Sequence, residues 1–217
     1  MTLVLGDTET TGIGPSARVV EIAGLVIDED LNVLEEFGTL INPGIPIPAG
    51  ASAIHGITDE MVQSQPTIEQ FKANVTQLPI HLLAYNSRFD LPFFQQAFNV
   101  QQDFCILKLA RSLNLPTENN KLQTLREHFG FEANAAHRAL DDCKVTLQVL
   151  RELLKLSGRS LQDHIGTKPH MLSIMPMGEH KGKSVMDVPL SYRNWVLKQP
   201  DMDVNLRFTF ETINKML

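Results

Sequence analysis

Residues 3–12 read Leu3-Val4-Leu5-Gly6-Asp7-Thr8-Glu9-Thr10-Thr11-Gly12, an apolar run that ends in two acids and a turn. Side chains alternate faces along a strand, so Asp7 and Glu9 point the same way. Two like charges side by side weaken a sheet unless a cation sits between them. The stretch reads either as a metal site or as a polar strand end that carries two acids, and alone it does not separate the two.

The runs on either side set the fold class. Arg18 to Asp28 and Val33 to Ile41 are rich in β-branched residues and have strand length. Their connections are too short for a crossover helix, which predicts an antiparallel meander of three strands. Pro43, Pro46 and Pro48 impose a rigid, irregular segment that leads to Ser52–Glu60, where Thr58 has the look of a helix cap. Thr67 to Leu78 has helical spacing, and Ile80 to Tyr85 is a short buried strand. Asn86-Ser87-Arg88-Phe89-Asp90 opens a helix through Phe98. A helical crossover before a strand predicts parallel pairing, hence a mixed sheet. Cys105-Ile106-Leu107 is expected as a last short strand, followed by a helix before Pro116 and another over Lys121–Phe129.

The strongest helix runs from about Arg138 to Leu156, with Leu140, Cys143, Leu147, Leu150 and Leu154 as its apolar stripe. His137, Asp141 and Asp142 stand at its start. Five residues along a helix is a rotation of ~140°, so His137 and Asp142 cannot share a face. If both serve one site, His137 must lie in the preceding loop. The expected organisation is an α/β domain over residues 1–158, a linker over 159–170 and a small C-terminal module over 171–217.

Composition narrows the function classes. The chain has 217 residues and is 43% hydrophobic, enough for a sizeable core. No run approaches the ~20 apolar residues of a membrane span, and the N-terminus lacks the features of a signal peptide. The first strand begins within three residues of Met1, so a cytoplasmic protein with no membrane partner is expected. Cys105 and Cys143 are too few and too far apart for a disulfide framework or a zinc site, and read as small core residues. A net charge of −6 argues against coating nucleic acid electrostatically. Residues 168–217 hold seven Lys and Arg against five Asp and Glu, which leaves the body acidic and the tail mildly basic.

Four acids therefore stand at strand ends or helix starts, Asp7, Glu9, Asp90 and Asp142, with His137 beside them. Two hard divalent cations need about this many carboxylates, and a neutral histidine can take a proton from a water. Singly, Asp90 reads sooner as a first-turn acid favoured by the helix dipole, and Asp142 as a solvated helix residue, than as ligands.

As a set, the segments Asp7–Gly12, Asn86–Asp90 and His137-Arg138-Ala139-Leu140-Asp141-Asp142 resemble the three exonuclease motifs of the DEDDh 3′→5′ exonucleases, in their usual order. Ile54-His55-Gly56-Ile57-Thr58 matches between the first two. The resemblance covers roughly residues 1–155, the span of a ribonuclease H-like domain, and within the family it points to exodeoxyribonuclease X-like and polymerase III epsilon-like proofreading enzymes. It implies an α/β mixed sheet flanked by helices and two ions of Mg²⁺ or Mn²⁺. It further implies that Asp7 bridges both ions, that Glu9 and Asp142 complete the site of the nucleophilic water, that Asp90 supports the second ion, and that His137 is the general base. The family spacing selects Asp142 over Asp141. No Tyr precedes that Asp, which sets the chain apart from the tyrosine-based branch. Tyr85 departs from the His often found before the Asn of the second motif.

The resemblance also implies that Thr10, Thr11, Gly12 and Ile13 line the 3′-terminal nucleotide, with Ile54, His55, Asn86 and Phe89 around it. For Ile54 and Phe89, core packing is an equal reading. The implied activity is release of nucleoside 5′-monophosphates from DNA with a 3′ end, single- or double-stranded, in repair or proofreading, alongside a replication or repair protein. RNA as substrate, and a non-catalytic nucleic-acid-binding or replisome-docking module, are the alternatives.

In the tail, Gly178-Glu179-His180-Lys181-Gly182-Lys183-Ser184 differs from a P-loop by having three residues between its glycines instead of four, and too little chain follows for a nucleotide-binding domain. With Asp187-Val188-Pro189, Tyr192 and Trp195 it resembles the C-terminal module of exodeoxyribonuclease X-like proteins. Its lysines read as phosphate contacts or as a solvated loop.

Overall fold

Strand β1 (Thr2–Thr10) is the middle strand of a five-stranded sheet in the computed structural model, which describes residues 2–75, 77–133, 137–165, 171–199 and 202–216. Antiparallel β2 (Val19–Ile27) pairs with it, and β3 (Val33–Leu40) pairs antiparallel with β2. On the other side, β4 (Pro79–Ala84) and β5 (Asn99–Cys105) run parallel to it, giving the order β3-β2-β1-β4-β5. The mixed sheet expected from the meander and the crossover is the one observed.

Helices α1 (Ala49–His55), α2 (Asp59–Val62) and α3 (Ile68–Asn74) follow β3. α4 (Ser87–Ala97) forms the β4–β5 crossover, and α5 (Ile106–Ser112), α6 (Leu122–His128), α7 (Ala139–Ser157) and α8 (Leu161–Ile165) follow β5. Alternation along β1 divides the core. Leu3 and Leu5 face α7 with Leu25, Leu147 and Leu150, while Val4 faces α4 with Ile22, Leu82 and Phe94. Fully burying one such side chain contributes about 1.5–3 kcal/mol, so each helix is held mainly by its apolar face. Gly6 lies against the Phe94 ring with no room for a Cβ. The odd-numbered face of β1 continues into Asp7 and Glu9, which brings both acids toward α7.

Three local expectations need correction. The last strand is Asn99–Cys105, not Cys105–Leu107, and Ile106 already begins α5. This is an edge strand whose exposed Asn99, Gln101, Gln102 and Asp103 give no apolar run. α3 keeps its Thr67 cap, through a reciprocal pair with Gln70, but ends at Asn74 because Val75 is extended. The proline-rich segment is irregular as expected, and α1 follows it directly after Pro48. Within the expected linker, residues 161–165 form α8, whose Leu161 and Ile165 are buried in the α7 core; residues 166–170 lie outside the described ones.

The chain divides into two units, Met1–Ile165 and Gly166–Leu217. The second has its own core of Met175, Val185, Val188, Val196, Leu206, Phe210 and Ile213. A bridge between Ile174 and Ser184 closes a hairpin there, followed by α9 (Leu190–Leu197) and α10 (Val204–Met216).

Candidate active site

The pairing of β1 with β2 keeps register through Glu9 opposite Glu21 and shifts between Glu9 and Thr10. This irregularity ends the ladder and turns the chain, a common device beside active sites. The turn is closed by the Thr11 amide donating to the Arg18 carbonyl at 2.8 Å and the Arg18 amide donating to Thr11 Oγ1 at 3.0 Å. The Thr10 hydroxyl donates to the Gly12 carbonyl at 2.6 Å, and Ile13 at the tip is 89% exposed.

Three of the expected acids come from β1 and α4. Asp90 lies in the first turn of α4 and is buried. Its Oδ1 accepts both the Thr8 amide at 3.1 Å and the Thr8 hydroxyl at 2.8 Å, which fixes the carboxyl at the end of β1. Burial, then the charges of Asp90, Glu9 and Asp142, hold the Asp7 carboxyl well above the usual carboxylate range. Burial also raises Asp90, against the lowering pull of both Thr8 hydrogen bonds. Burial and the Asp142 and Glu21 charges push Glu9 up to about 8, with Arg138 pulling the other way.

The fourth acid and the histidine come from the start of α7. His137 lies ahead of the helix with φ of 63°, in the left-handed region that costs a β-carbon residue energy. The ~140° of helix rotation between it and Asp142 requires that position outside the helix if both serve one site. Its backbone amide donates to Asp142 Oδ2 at 2.9 Å, and Gln123 Nε2 donates to Asp142 Oδ1 at 3.2 Å. The result is a cluster in which ligand atoms of Glu9, His137 and Asp142 all lie within 4.8 Å of one another. Asp142 is buried, whereas Asp141 next to it is half-buried.

This donor set suits a hard divalent cation. Its atoms are carboxylate oxygens with one imidazole, and the acids resist ionising together because they are buried and raise one another. Arg138 does not fill that role, since its guanidinium is committed to Glu21: Nη2 donates to Oε1 at 2.8 Å and Nε to Oε2 at 3.2 Å. Glu21 also accepts the Ala139 amide at 3.0 Å, which ties the start of α7 to β2.

The expected substrate residues occupy different settings. Ile54 is 61% exposed, so it is not a core residue. His55 is buried; its Nδ1 accepts the Ile57 amide at 3.0 Å, which leaves the ring proton on Nε2, and burial lowers its pKa. Phe89 is half-buried against Phe93, with ring centroids 5.5 Å apart. Asn86 and Tyr85 line an open groove of about 890 Å³ with Arg111, Lys121, His137 and Asp142. Tyr85 spends its hydroxyl on the Asn120 carbonyl, at 2.6 Å.

Thr8, Glu21, Arg138 and Gln123 support the site without having been singled out from the sequence. Glu21 did leave a signal, as the one acid inside the apolar run Val19–Ile27. Gln123 left none.

Comparison with known proteins adds an independent line. A family model described as Exonuclease, RNase_T, matches residues 4–150. An uncharacterized exonuclease, CP81, of Escherichia phage 186 is 36% identical over 171 residues, 69% of this chain and 86% of that protein. Exodeoxyribonuclease 10 of Escherichia coli K12 is 29% identical over 219 residues, 94% of this chain and 95% of that protein. The solved structure of Exonuclease X in complex with 5′ overhanging duplex DNA superposes with a TM-score of 0.60 at 26% identity, covering 75% of this chain and 97% of that one.

Proposed function

The chain belongs to the RNase_T exonuclease family, and from that premise we propose that it is a metal-dependent 3′→5′ exodeoxyribonuclease that releases nucleoside 5′-monophosphates in repair or proofreading. The observation that carries this reading is the gathering of Glu9, His137 and Asp142 within 4.8 Å, beside Asp7 and Asp90 carboxyls whose pKa values burial raises. Preference for DNA is supported by the exodeoxyribonuclease relative and by the DNA-bound structural neighbour.

Asp7, Glu9, Asp90 and Asp142 would hold two hard divalent cations, Mg²⁺ or Mn²⁺, which when bound orient the phosphodiester, lower the pKa of a water and stabilise the leaving oxygen. His137 takes the proton from the attacking water. Its exposed ring can then pass that proton to solvent. The bond between phosphorus and the 3′-oxygen of the penultimate nucleotide breaks, and the terminal nucleotide departs with a 5′-phosphate. The turn Thr10–Ile13 holds the end of the strand, with Ile54, His55, Asn86 and Phe89 around the base and sugar. Exposed apolar Ile13 and Ile54 suit contact with a base face.

The test is incubation with 5′-labelled single-stranded DNA, duplex DNA and RNA in Mg²⁺, Mn²⁺ or chelator, beside Asp7→Ala. Ladders that shorten from the 3′ end only with metal, and are absent in the variant, are expected. Faster shortening of RNA than DNA would make it an exoribonuclease. Equal, chelator-resistant activity in both proteins would sink the mechanism.

A further inference from the structure

The C-terminal unit carries a continuous strip of cation and aromatic side chains that the nuclease site does not use. Lys183 Nζ lies 3.3 Å from His180 Nδ1. The His180 ring meets Tyr192 edge-on, with centroids 4.5 Å apart and planes at 89°. Tyr192 in turn leans on Trp195 at 5.5 Å. The first two groups come from a hairpin closed by the Met175 amide donating to the Lys183 carbonyl at 2.8 Å and the Gly182 amide donating to the Met175 carbonyl at 2.9 Å. The last two come from α9. Gly178 joins the halves: its φ is 76°, and a Cβ there would strike the Tyr192 hydroxyl, so the hairpin seats against the strip only with glycine.

Only Tyr192 of this strip leans on the core, and it is half-buried there. Val196, Leu206 and Phe210 fill the interior of the unit, while Trp195 on the same helix is 56% exposed and Lys181 and Lys183 are exposed. The sign of charge also changes along the chain. Residues 166–217 hold seven Lys and Arg against five Asp and Glu, whereas residues 1–165 hold twelve against twenty. The net charge of the body opposes a polyanion, whereas that of this unit favours one.

We propose that the strip is a second nucleic-acid contact, which takes single-stranded DNA by stacking bases on Trp195 and Tyr192 while Lys181 and Lys183 face the phosphates. The choice of DNA as ligand rests on the exonuclease reading. Stacking is tolerant of sequence because every base has a π-face, which suits an enzyme that must accept any strand. Unpaired bases are required, so duplex DNA is a poor ligand for it. Since the contact shares a chain with the nuclease unit, it keeps a partly degraded strand at high effective concentration between cuts.

Trp195 is the sole tryptophan of the chain, so its emission reports this strip alone. The full chain, in chelator, is titrated with a single-stranded thymidylate oligomer, a matched duplex and polyglutamate. Saturable quenching by the single strand, weakened by salt, is expected. Lys181→Gln combined with Lys183→Gln should lower the magnitude of the salt slope by about 1.4. Trp195→Ala should weaken binding of a labelled oligomer, read by anisotropy, by about 5- to 100-fold, and Trp195→Phe should restore most of it. Each variant should hydrolyse a dinucleotide, which offers only the bond being cut, at the unaltered rate. Absence of quenching, equal quenching by duplex or polyglutamate, or a Trp195→Phe variant as weak as Trp195→Ala would overturn the proposal. Failure of the unaltered protein to hydrolyse any nucleic acid while quenching persists would instead count against the exonuclease reading.

Discussion

Thr8 carries no charge, yet its amide and hydroxyl both end on one oxygen of Asp90 and favour the ionised form of that buried carboxyl. Thr8→Val keeps the β-branched shape and removes one hydrogen bond to a charged group, an interaction of about 1.5–3 kcal/mol. We expect the exonuclease rate at neutral pH to fall roughly 10- to 100-fold, with the pH–rate profile displaced upward and Thr8→Ser close to the unaltered protein. A profile that falls without moving would show that the hydroxyl only packs. Glu9 makes a second prediction at this scale. Its folded pKa of about 8 lies above the ordinary 4.5. Between these values the folded state keeps a proton that the unfolded chain has lost, so this group's contribution is full at low pH and declines as pH rises toward 8. His55 and His81, whose pKa values burial lowers, act in the opposite direction, so the difference between proteins is the quantity to measure. In chelator, the melting temperature of Glu9→Gln minus that of the unaltered protein should grow from about pH 5 to about pH 8. Mn²⁺ should raise the melting temperature of the unaltered protein more at the upper end, where fewer protons must leave. A difference that stays flat would remove Glu9 from the strained cluster.

At the scale of elements, the site depends on holding the start of α7 against β2, and the Glu21–Arg138 pair does this. The two partners are unequal: Glu21 has 7% of its side chain exposed and Arg138 has 44%. Removing Glu21 leaves an arginine that water can solvate. Removing Arg138 leaves a buried carboxylate opposite Glu9 with only the Ala139 amide. Arg138→Ala should therefore destabilise the fold more, by about 2–4 kcal/mol against roughly 1–2 for Glu21→Gln, and the double variant should recover part of the loss. Urea denaturation of the three proteins checks this, and equal costs with simple additivity would contradict it. The same pair marks where reading the sequence stops. The β1 acids were legible because alternation along one strand is local, and the position of His137 was legible because helix rotation forbids any other. Glu21 and Arg138 meet across 117 positions of chain, a relation that no local period carries. β5 was missed for another reason: its outward residues are polar, and only the pairing with β4 makes it a strand. α8 likewise has two apolar residues in five, too few to show a period, and is held by packing against β5 and the shared core.

For the whole molecule, the question is where the nuclease ends and whether it works without the C-terminal unit. Among the described residues, the core between α7 and the sheet reaches Leu161 and Ile165 of α8, beyond Gly158, where α7 stops in the left-handed conformation. A chain cut after residue 165 keeps every acid of the cluster, His137 and all of that core. A chain cut after residue 158 exposes the surface that the two α8 side chains covered. Each fully buried aliphatic side chain contributes about 1.5–3 kcal/mol, and a freed surface that partly collapses keeps some of it, so the shorter chain should be less stable than the longer by about 2–4 kcal/mol. With the C-terminal unit gone, the 165-residue chain should cleave a dinucleotide as fast as the full chain does. On a long single strand its KM should rise while kcat stays, because uniform binding is lost and the transition-state contacts are not. Steady-state kinetics on substrates of increasing length measure this directly. A KM that is the same for the two proteins at every length would confine nucleic-acid binding to the first unit, and a drop in kcat on the dinucleotide would mean that the second unit helps to build the site itself.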